Sequence, residues 1–502
     1  MTDIIERTSL WQNTLAKQPQ DQHEISRDKL RNALLHMRAN VTHLVDQIRN
    51  DIPGLTVHNI SHLDALWTVA DVIAGPDFRL TPVEAFVFGC AVLLHDTGMA
   101  IGSYPGGLKD IKDTIEWRDV EASIRANEPT GDGAAIEAQA LFSVLRLLHA
   151  KQAEKLAQIT FTRPGRAERL HLLDDAQLRD GYGGSIGKIA HSHHWDSSIL
   201  QDKLSPLVGS SPALPLDWTL NEVKVACLLR CADAAHIDAA RAPTMAYAIS
   251  QPKHNSRLHW DFQNRLNQLT SNEGKLIFSS GQAFTVNDTA AWWLCYDTLQ
   301  MIDDELKTSN AILTDAGSGL FSARGVSGIE SPRLLAKHIR VDGWEPVNAE
   351  VRVTDPVHLA RTLGGRNLYG TGVFAPIREL LQNAVDAVRD RRAQQNRGRE
   401  WGKVRIVANK DSDGAAWLHV DDTGIGMSER VLTGPLIDFG RSLWTSGLAQ
   451  EEFPGLQSKR STRISKFGIG FFSVFLLGDT VKVASKSTPL ETIRPEFWNL
   501  AS

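Results

Sequence analysis

Histidine and aspartate recur along the first half of this chain in places that suit metal chemistry. In order they are His58 and His62, the adjacent His95 and Asp96, His149, the cluster His191, His193 and His194, and Asp233. Most of them close an apolar run with helical spacing. His95 follows AVLL, His149 ends SVLRLLH, and Asp233 follows CLLRCA. Imidazole and carboxylate together suit iron, manganese, zinc and similar divalent ions. Such an ion lowers the pKa of a bound water toward neutrality, and a pair of ions clamps the attacking and leaving oxygens of a phosphoester. Taken singly, His58, His191 and His236 read as ordinary helix residues, and one His–Asp pair says little. The ordered series at helix ends is what points to a metal site. Cys227 and Cys231 are four apart, but no second cysteine pair accompanies them as a zinc ribbon requires.

A second constellation follows. In PIRELLQNAVDAVRDRR, residues Glu379, Asn383 and Asp386 stand at i, i+4 and i+7, which puts them on one helix face. Ile377, Leu380, Leu381, Ala384, Val385 and Val388 make the rest of a core-facing surface, so the polar stripe must face something polar, such as a nucleotide and its metal. Farther on, LHVDDTGIGM runs from a strand into Asp421–Asp422 and then Gly424 and Gly426. A carboxylate at a strand end accepts a hydrogen bond from an exocyclic amine, which favours adenine, and the glycines let backbone approach base and sugar. Gly468 and Gly470 then open an apolar helix, an arrangement that presents free N–H groups to phosphates. Each signal is weak alone; the three in this order are not a coincidence. A P-loop and a Rossmann fingerprint are both missing from the sequence. The basic residues Lys459, Arg460, Arg463 and Lys466, and Arg389, Arg391, Arg392, Arg397 and Arg399, read first as solvated charge.

The elements that position these residues fall into two modules. The chain has 502 residues, 42% hydrophobic and 23% charged, with a formal net charge of −5. That length corresponds to about three ordinary domains. The composition excludes a disordered, collagenous or coiled-coil chain, and near-balanced charge gives no global pull toward nucleic acid or membrane. No apolar run reaches the roughly 18–20 residues that a membrane-spanning helix needs. The first residues show no secretory pattern, and the four cysteines sit in apolar surroundings, so a reducing cytoplasm is the expectation. Residues 1–50 read as helices, and helical spacing continues through LDALWTVADVIAG and through VEAFVFGCAVLLH, where Thr81 and Pro82 supply an N-cap and first-turn proline. Residues 100–135 read as an elaborated loop. SRLHWDFQ, a turn at Ser271–Gly274 and KLIFSS read as a hairpin. Residues 315–345 read as a linker. After them the pattern becomes mixed α/β. The expected division is 1–50 helices, 51–314 an all-α metal module with appended hairpin, 315–345 linker, and 346–502 a nucleotide module.

The first series resembles the HD-domain metal-dependent phosphohydrolases over roughly residues 50–245, carried by HNISHLDALW, AVLLHDTGM and LLRCADAAHID. The resemblance implies that His62, His95, Asp96, His149, His193, His194 and Asp233 are ligands of one or two divalent metals such as Mn²⁺, Fe²⁺, Zn²⁺ or Mg²⁺, with Asp96 bridging. The choice between His58 and His62, and among His191, His193 and His194, stays open. The family hydrolyses phosphomonoesters, nucleotides, cyclic dinucleotides or nucleic acids. The second constellation resembles the gyrase–heat-shock chaperone–histidine kinase–MutL (GHKL) ATPases of the Bergerat fold, an α+β sandwich. RELLQNAVDA, DDTGIGM and KFGIGFFSVFLLGDTVKVASK look most like the ninety-kilodalton heat-shock chaperones. That resemblance implies ATP with Mg²⁺. Glu379 would activate the attacking water, Asn383 would bind Mg²⁺ on the same face as Asp386, and Asp422 would hold the adenine amine. Gly424, Gly426 and Met427 would line the base. Gly468, Ile469, Gly470, Phe471 and Phe472 would cradle the phosphates, and residues 433–466 would form a lid. The chain ends 32 residues after Gly470, earlier than the chaperones' nucleotide domain. The expectation is a truncated module, or one completed in a homo-oligomer or by a partner chain.

Two readings of the whole chain compete. One is a metal phosphohydrolase controlled by an ATP switch, analogous to antiviral defence effectors and nucleases. The other is an ATP-driven, chaperone-like remodeller whose metal pocket senses a nucleotide.

Overall fold

The computed structural model describes residues 3–127, 130–162, 165–166, 169–250, 252, 254–348, 374–411, 414–438, 443, 448–456, 458, 470–478, 480–486 and 496–501. The main helices are α1 (Glu24–Val45), α2 (Ile60–Ala74), α3 (Pro82–Leu94), α4 (Ile115–Asn127), α5 (Gly133–Leu156), α6 (Ala176–Ser192), α7 (Glu222–Ala235), α8 (His254–Gln263), α9 (Thr289–Asp315) and α10 (Phe374–Gln395). The main strands are β1 (Thr270–Asn272), β2 (Lys275–Ile277), β3 (Gly325–Val326), β4 (Val404–Lys410), β5 (Ala416–Asp422), β6 (Thr480–Ser485) and β7 (Glu496–Ala501). Met1–Ile111 with Leu145–Ala349 make one compact unit, and Lys112–Val144 with Glu350–Ser502 make a second.

The first unit is a helical stack around α3. Thr81 accepts a hydrogen bond from the Glu84 N–H, and the Glu84 carboxylate accepts from the Thr81 N–H, closing a capping box over Pro82. Every residue from Val83 to Leu94 is buried, so α3 is apolar on all sides and runs through the core. Helices α1, α2, α6 and α7 pack around it. A helix without a solvent face must release its last turn into the interior, and that turn ends in His95 and Asp96.

Three expectations of local structure need correction. SRLHWDFQ is not a strand; it forms most of α8, whose Trp260 and Phe262 are buried and whose Trp260 Nε1–H donates to the Gly54 carbonyl at 3.0 Å. The alternation of Leu258, Trp260 and Phe262 imitated a strand period, and packing against α9 decided for helix. The hairpin is β1–β2, turned by Glu273 (φ 48°) and Gly274 (φ 76°); two successive left-handed residues match the twist of a two-residue hairpin. Strand β3 adds to β2 in parallel, pairing Lys275 with Gly325. Residues 315–345 are therefore not a free linker: Phe321, Val326, Leu335 and Ile339 are buried, and Trp292 Nε1–H donates to the Ile339 carbonyl at 3.1 Å.

In the second unit α10 lies against the antiparallel pair β4–β5, and β6 pairs with β7. The elaborated loop expected at 100–135 contains helix α4 instead, and Lys112–Val144 group with the C-terminal residues rather than with the helical unit. The reason is chemical. Asp119, buried on α4, accepts the backbone N–H groups of Gly455 and of Ser458, the latter at 2.7 Å. Gly455 has φ 83° and lies against Ile115.

Candidate functional site

Five helices build the candidate metal site, four of them at their ends and α5 from its interior. Asn59 caps α2 by accepting the Ser61 N–H at 3.0 Å and so places His62, buried, in the first turn. Helix α3 delivers His95 and Asp96, α5 carries His149, α6 ends in His193 and His194, and α7 carries Asp233. The carbonyls of Val92 and Ala190 lie in the last turns of their helices, where donors are needed, and Arg146 lies within α5. His95 Nδ1–H donates to the Val92 carbonyl at 2.8 Å, His149 Nδ1–H to Arg146 at 2.7 Å, and His193 Nδ1–H to Ala190 at 2.5 Å. Each bond fixes the tautomer and turns the lone pair of Nε2 into the site, as a metal-ligating histidine requires.

The donors form two groups, His62–His95–Asp96–Asp233 and His149–His193–His194, with ligand atoms inside each group within 4.8 Å of one another. Asp96 spans both. Its Oδ2 is 3.2 Å from His95 Nε2 and 3.6 Å from His62 Nε2, while its Oδ1 is 3.7 Å from His149 Nε2. Asp233 Oδ1 lies 3.4 Å from His95 Nε2 and 3.9 Å from His62 Nε2. His191 stays outside both groups and bonds Glu154 at 2.5 Å.

Electrostatics keep most of these rings neutral. Burial pushes His149 down to about 4 and His62 and His193 well below the ordinary imidazole value. Burial also disfavours the charge on His95, but Asp96 and Asp233 outweigh it and raise that ring well above its usual range. Burial opposes the Asp96 charge, yet His95 and His62 hold its carboxyl well below the carboxylate range.

The donor set fits a metal on a specific observation. His149 Nε2 and His193 Nε2 face each other at 3.1 Å, and both rings already use Nδ1–H on carbonyls. Two lone pairs pointed at one another need a cation between or beside them. His95 Nε2 is also buried without a hydrogen bond of good geometry.

Three further residues lie at the site: His58, kept from sequence only as an alternative to His62, and His236 and Arg241, which were not candidates. His236 stacks on His62 with ring planes 4° apart and Nδ1 atoms at 2.7 Å. His58 lies with Nε2 3.9 Å from Asp96 Oδ2. Buried Arg241 places Nη1 2.5 and 2.7 Å from the two ring nitrogens of His62 and Nη2 3.0 Å from His58 Nε2. The two histidines had been read singly as ordinary residues; His236 is buried against the donors, and the His58 side chain is 10% exposed beside them. Their signal was position, within a few residues of His62 and Asp233. Nothing local marks Arg241.

In the second unit Glu379 and Asn383 are half-buried along α10 and Asp386 is buried. The turn at Gly424 is clamped to that helix. Ile425 N–H donates to the Ala387 carbonyl at 3.0 Å, and Arg391 donates to the Thr423 and Gly424 carbonyls at 3.1 and 3.2 Å. Arg391 is thus part of the turn's support and not only an exposed helix end. Asp422 Oδ1 accepts the Gly424 N–H at 2.7 Å. A Cβ on Gly424 would stand 2.4 Å from Ala387 Cβ and 2.5 Å from Asp422 Oδ1, so only glycine allows this approach. Gly426 takes φ 75°, and Met427 N–H donates to Ser485 Oγ on β6 at 2.9 Å. Gly470 opens a 3₁₀ turn through Leu476, with Phe471 and Phe472 half-buried. Gly468, Ile469, Lys459, Arg460, Arg463 and Lys466 lie outside the described residues.

A helical core whose helices bring histidines and aspartates together defines an HD-type domain. The HD-CE family model matches residues 52–308, about half of the chain, and the chain belongs to that family. A separate similarity links it to chaperones. It is 32% identical over 131 residues to the chaperone protein HtpG of Methylorubrum extorquens, covering 25% of this chain and 20% of that protein. With HtpG of Chlorobaculum tepidum it shares 34% over 118 residues, 22% and 18% of the two chains. With HtpG of Vibrio vulnificus it shares 33% over 135 residues, 25% and 20%. The chain spans about a fifth of the length of these curated relatives. No solved structure matches it. Among the described residues no helix is long and apolar enough to cross a membrane.

Proposed function

We propose that the helical unit is a metal-dependent phosphohydrolase and that the second unit is an ATP-binding switch controlling it. The observation that carries the first half is the pair of Nε2 atoms of His149 and His193, 3.1 Å apart with both Nδ1–H groups already used. Bound there, divalent ions such as Mn²⁺, Fe²⁺, Zn²⁺ or Mg²⁺ supply an activated water and neutralise phosphoryl oxygens. The chain's own part is positional. His62, His95 and Asp233 make one half of the cradle, and His149, His193 and His194 the other. Asp96 joins the halves through its two oxygens, and the carbonyls of Val92, Arg146 and Ala190 hold the rings in register. Burial keeps most rings neutral at pH 7 and ready to ligate. The substrate class is a phosphoester of a nucleotide, cyclic nucleotide or nucleic acid.

The second half rests on the HtpG similarity and on the glycine turn fixed to α10. In this reading Asn383 holds Mg²⁺, Glu379 orients the attacking water beside Asp386, and Asp422 receives the adenine amine. Gly424, Gly426 and Met427 face the base, and Gly468 to Phe472 face the phosphates. Residues 433–466 serve as a lid over the bound ATP, and nucleotide binding there alters the metal unit. The test is phosphate release from nucleotides, cyclic dinucleotides and single- and double-stranded nucleic acid with Mn²⁺, Fe²⁺ or Mg²⁺, with and without ATP. The reading expects release that is lost in the His95→Ala/Asp96→Ala double variant and that responds to ATP in wild type but not in Glu379→Ala. No release from any substrate contradicts it.

A further inference from the structure

Arg241 is not used by the mechanism above, and its surroundings are unusual for a guanidinium. The residue is 9% exposed. Its hydrogen-bond partners are uncharged: the His62 ring, His58 Nε2 and, at 3.4 Å, the Thr56 hydroxyl. Its Nε is buried with no partner. Arginine keeps its proton in any protein environment, so a buried, incompletely bonded guanidinium is costly unless an anion completes it. Three carboxylates stand near: Asp96 and Asp233 belong to the metal cradle, and Asp238 Oδ1 accepts the Ala240 N–H at 2.9 Å. A ligand that takes the lone pair of His62 also removes the acceptor that Arg241 now uses, which frees a planar fork of N–H donors beside the reaction centre. That fork matches two oxygens of a phosphate.

The exposure of the site gives a direction. Around Arg241 it is closed: His62 and His236 are buried, and the His58 side chain is 10% exposed. Asp233, in the same donor group as His62, has a side chain 26% exposed, and in the other donor group His194 is exposed. A closed end accepts the end of a molecule, whereas a strand running through needs two exits. A terminal phosphate also carries nearly two negative charges at neutral pH against one for an internal diester.

We propose that Arg241, positioned by His58 and Thr56, anchors a terminal phosphate, so that the substrate class is a phosphomonoester or a nucleoside polyphosphate rather than an internal phosphodiester. This rests on the phosphohydrolase reading. The test uses full-length Mn²⁺-loaded protein, with inorganic phosphate as the calorimetric probe and p-nitrophenyl phosphate, bis-p-nitrophenyl phosphate and circular single-stranded DNA as substrates. Arg241→Gln is expected to keep the metal content and the urea midpoint, to bind phosphate roughly 10- to 100-fold more weakly, and to raise KM for the monoester by a similar factor. Arg241→Lys, which keeps charge but loses the fork, falls between and carries the test if the glutamine variant does not fold. Loaded, active wild type with unchanged phosphate binding in both variants overturns the anchor alone. So does wild type that cleaves circular DNA as fast as the monoester. Wild type that takes up no metal overturns the anchor and the underlying reading together.

Discussion

Gly98 offers a way to move one half of the metal site by a single methyl group. It is buried in the turn just after Asp96, and a Cβ built on it would stand 2.3 Å from the His149 carbonyl oxygen, 2.8 Å from its Cα and 2.9 Å from its carbonyl carbon. These are backbone atoms, so no rotamer change relieves the contact. For Gly98→Ala to reach ordinary van der Waals distance, the turn and helix α5 must separate by about 1 Å. Overpacking of this kind costs about 1–3 kcal/mol. The functional cost is larger. His149 Nε2 lies 3.7 Å from Asp96 Oδ1, and a shift of about 1 Å between groups that must act together costs roughly 100-fold in rate. The assay is urea denaturation, manganese content and phosphate release on one preparation. The expected result is a loss of about 1–3 kcal/mol, weaker metal retention and a roughly 100-fold slower turnover. Gly184→Ala is the control: it lies on α6 with nothing within 4 Å of its Cβ, and it should stabilise the helix by about 0.5–1 kcal/mol. A Gly98→Ala protein as stable, as metal-rich and as active as wild type would refute the reasoning.

Three further outcomes follow from the same contacts. Gly424→Ala places a methyl against Ala387 and Asp422 and should weaken ATP binding by about tenfold or more, as read by fluorescence of a labelled nucleotide, while leaving metal content unchanged. Asp119→Ala strips the acceptor from two backbone N–H groups, of Gly455 and Ser458, and should destabilise that docking by about 3 kcal/mol; hydrogen exchange should quicken around 453–458, with no change at α3. Metal-free protein should lose stability as pH falls from 6.5 to about 4. There, unfolded histidines take up protons near 6.5, while burial holds folded His58 and His149 down at about 4 and His236 at about 3, so the unfolded state binds more protons. His95 is shifted the other way and keeps its proton in both states below 6.5, and the lowered pKa values of Asp96 and Asp233 act only below about 3.8, so neither obscures the window. A chemical-denaturation midpoint that is flat or rises on acidification would contradict this assignment.

The helical unit was legible because its signals are local. Thr81 and Pro82 announce α3, and the apolar run that follows leads without interruption to His95–Asp96. Segments whose state depends on distant partners were misread. Leu258, Trp260 and Phe262 alternate like a strand, and only their packing against α9 makes α8 a helix. Residues 315–345 carry glycines, but Phe321 and Ile339 are buried by residues far away in sequence. Asp119 reads as one more charged loop residue until Gly455 and Ser458, more than 330 residues later, come to it. At the metal site the ligand types were readable from their order along the chain. His58 stood in that order only as an alternative to His62, and His236 and Arg241 were not readable, because their role lies in what surrounds them rather than in any spacing.

The central claim is that Asp96 joins two metal groups. Its most direct test is the ion-to-chain ratio of protein prepared without oxygen and loaded with Mn²⁺, compared with Asp96→Asn. The account predicts about two ions per wild-type chain, matching the two donor groups, and no more than about one in the variant. Wild type holding fewer than about one ion per chain, or a variant holding as many as wild type, would contradict it.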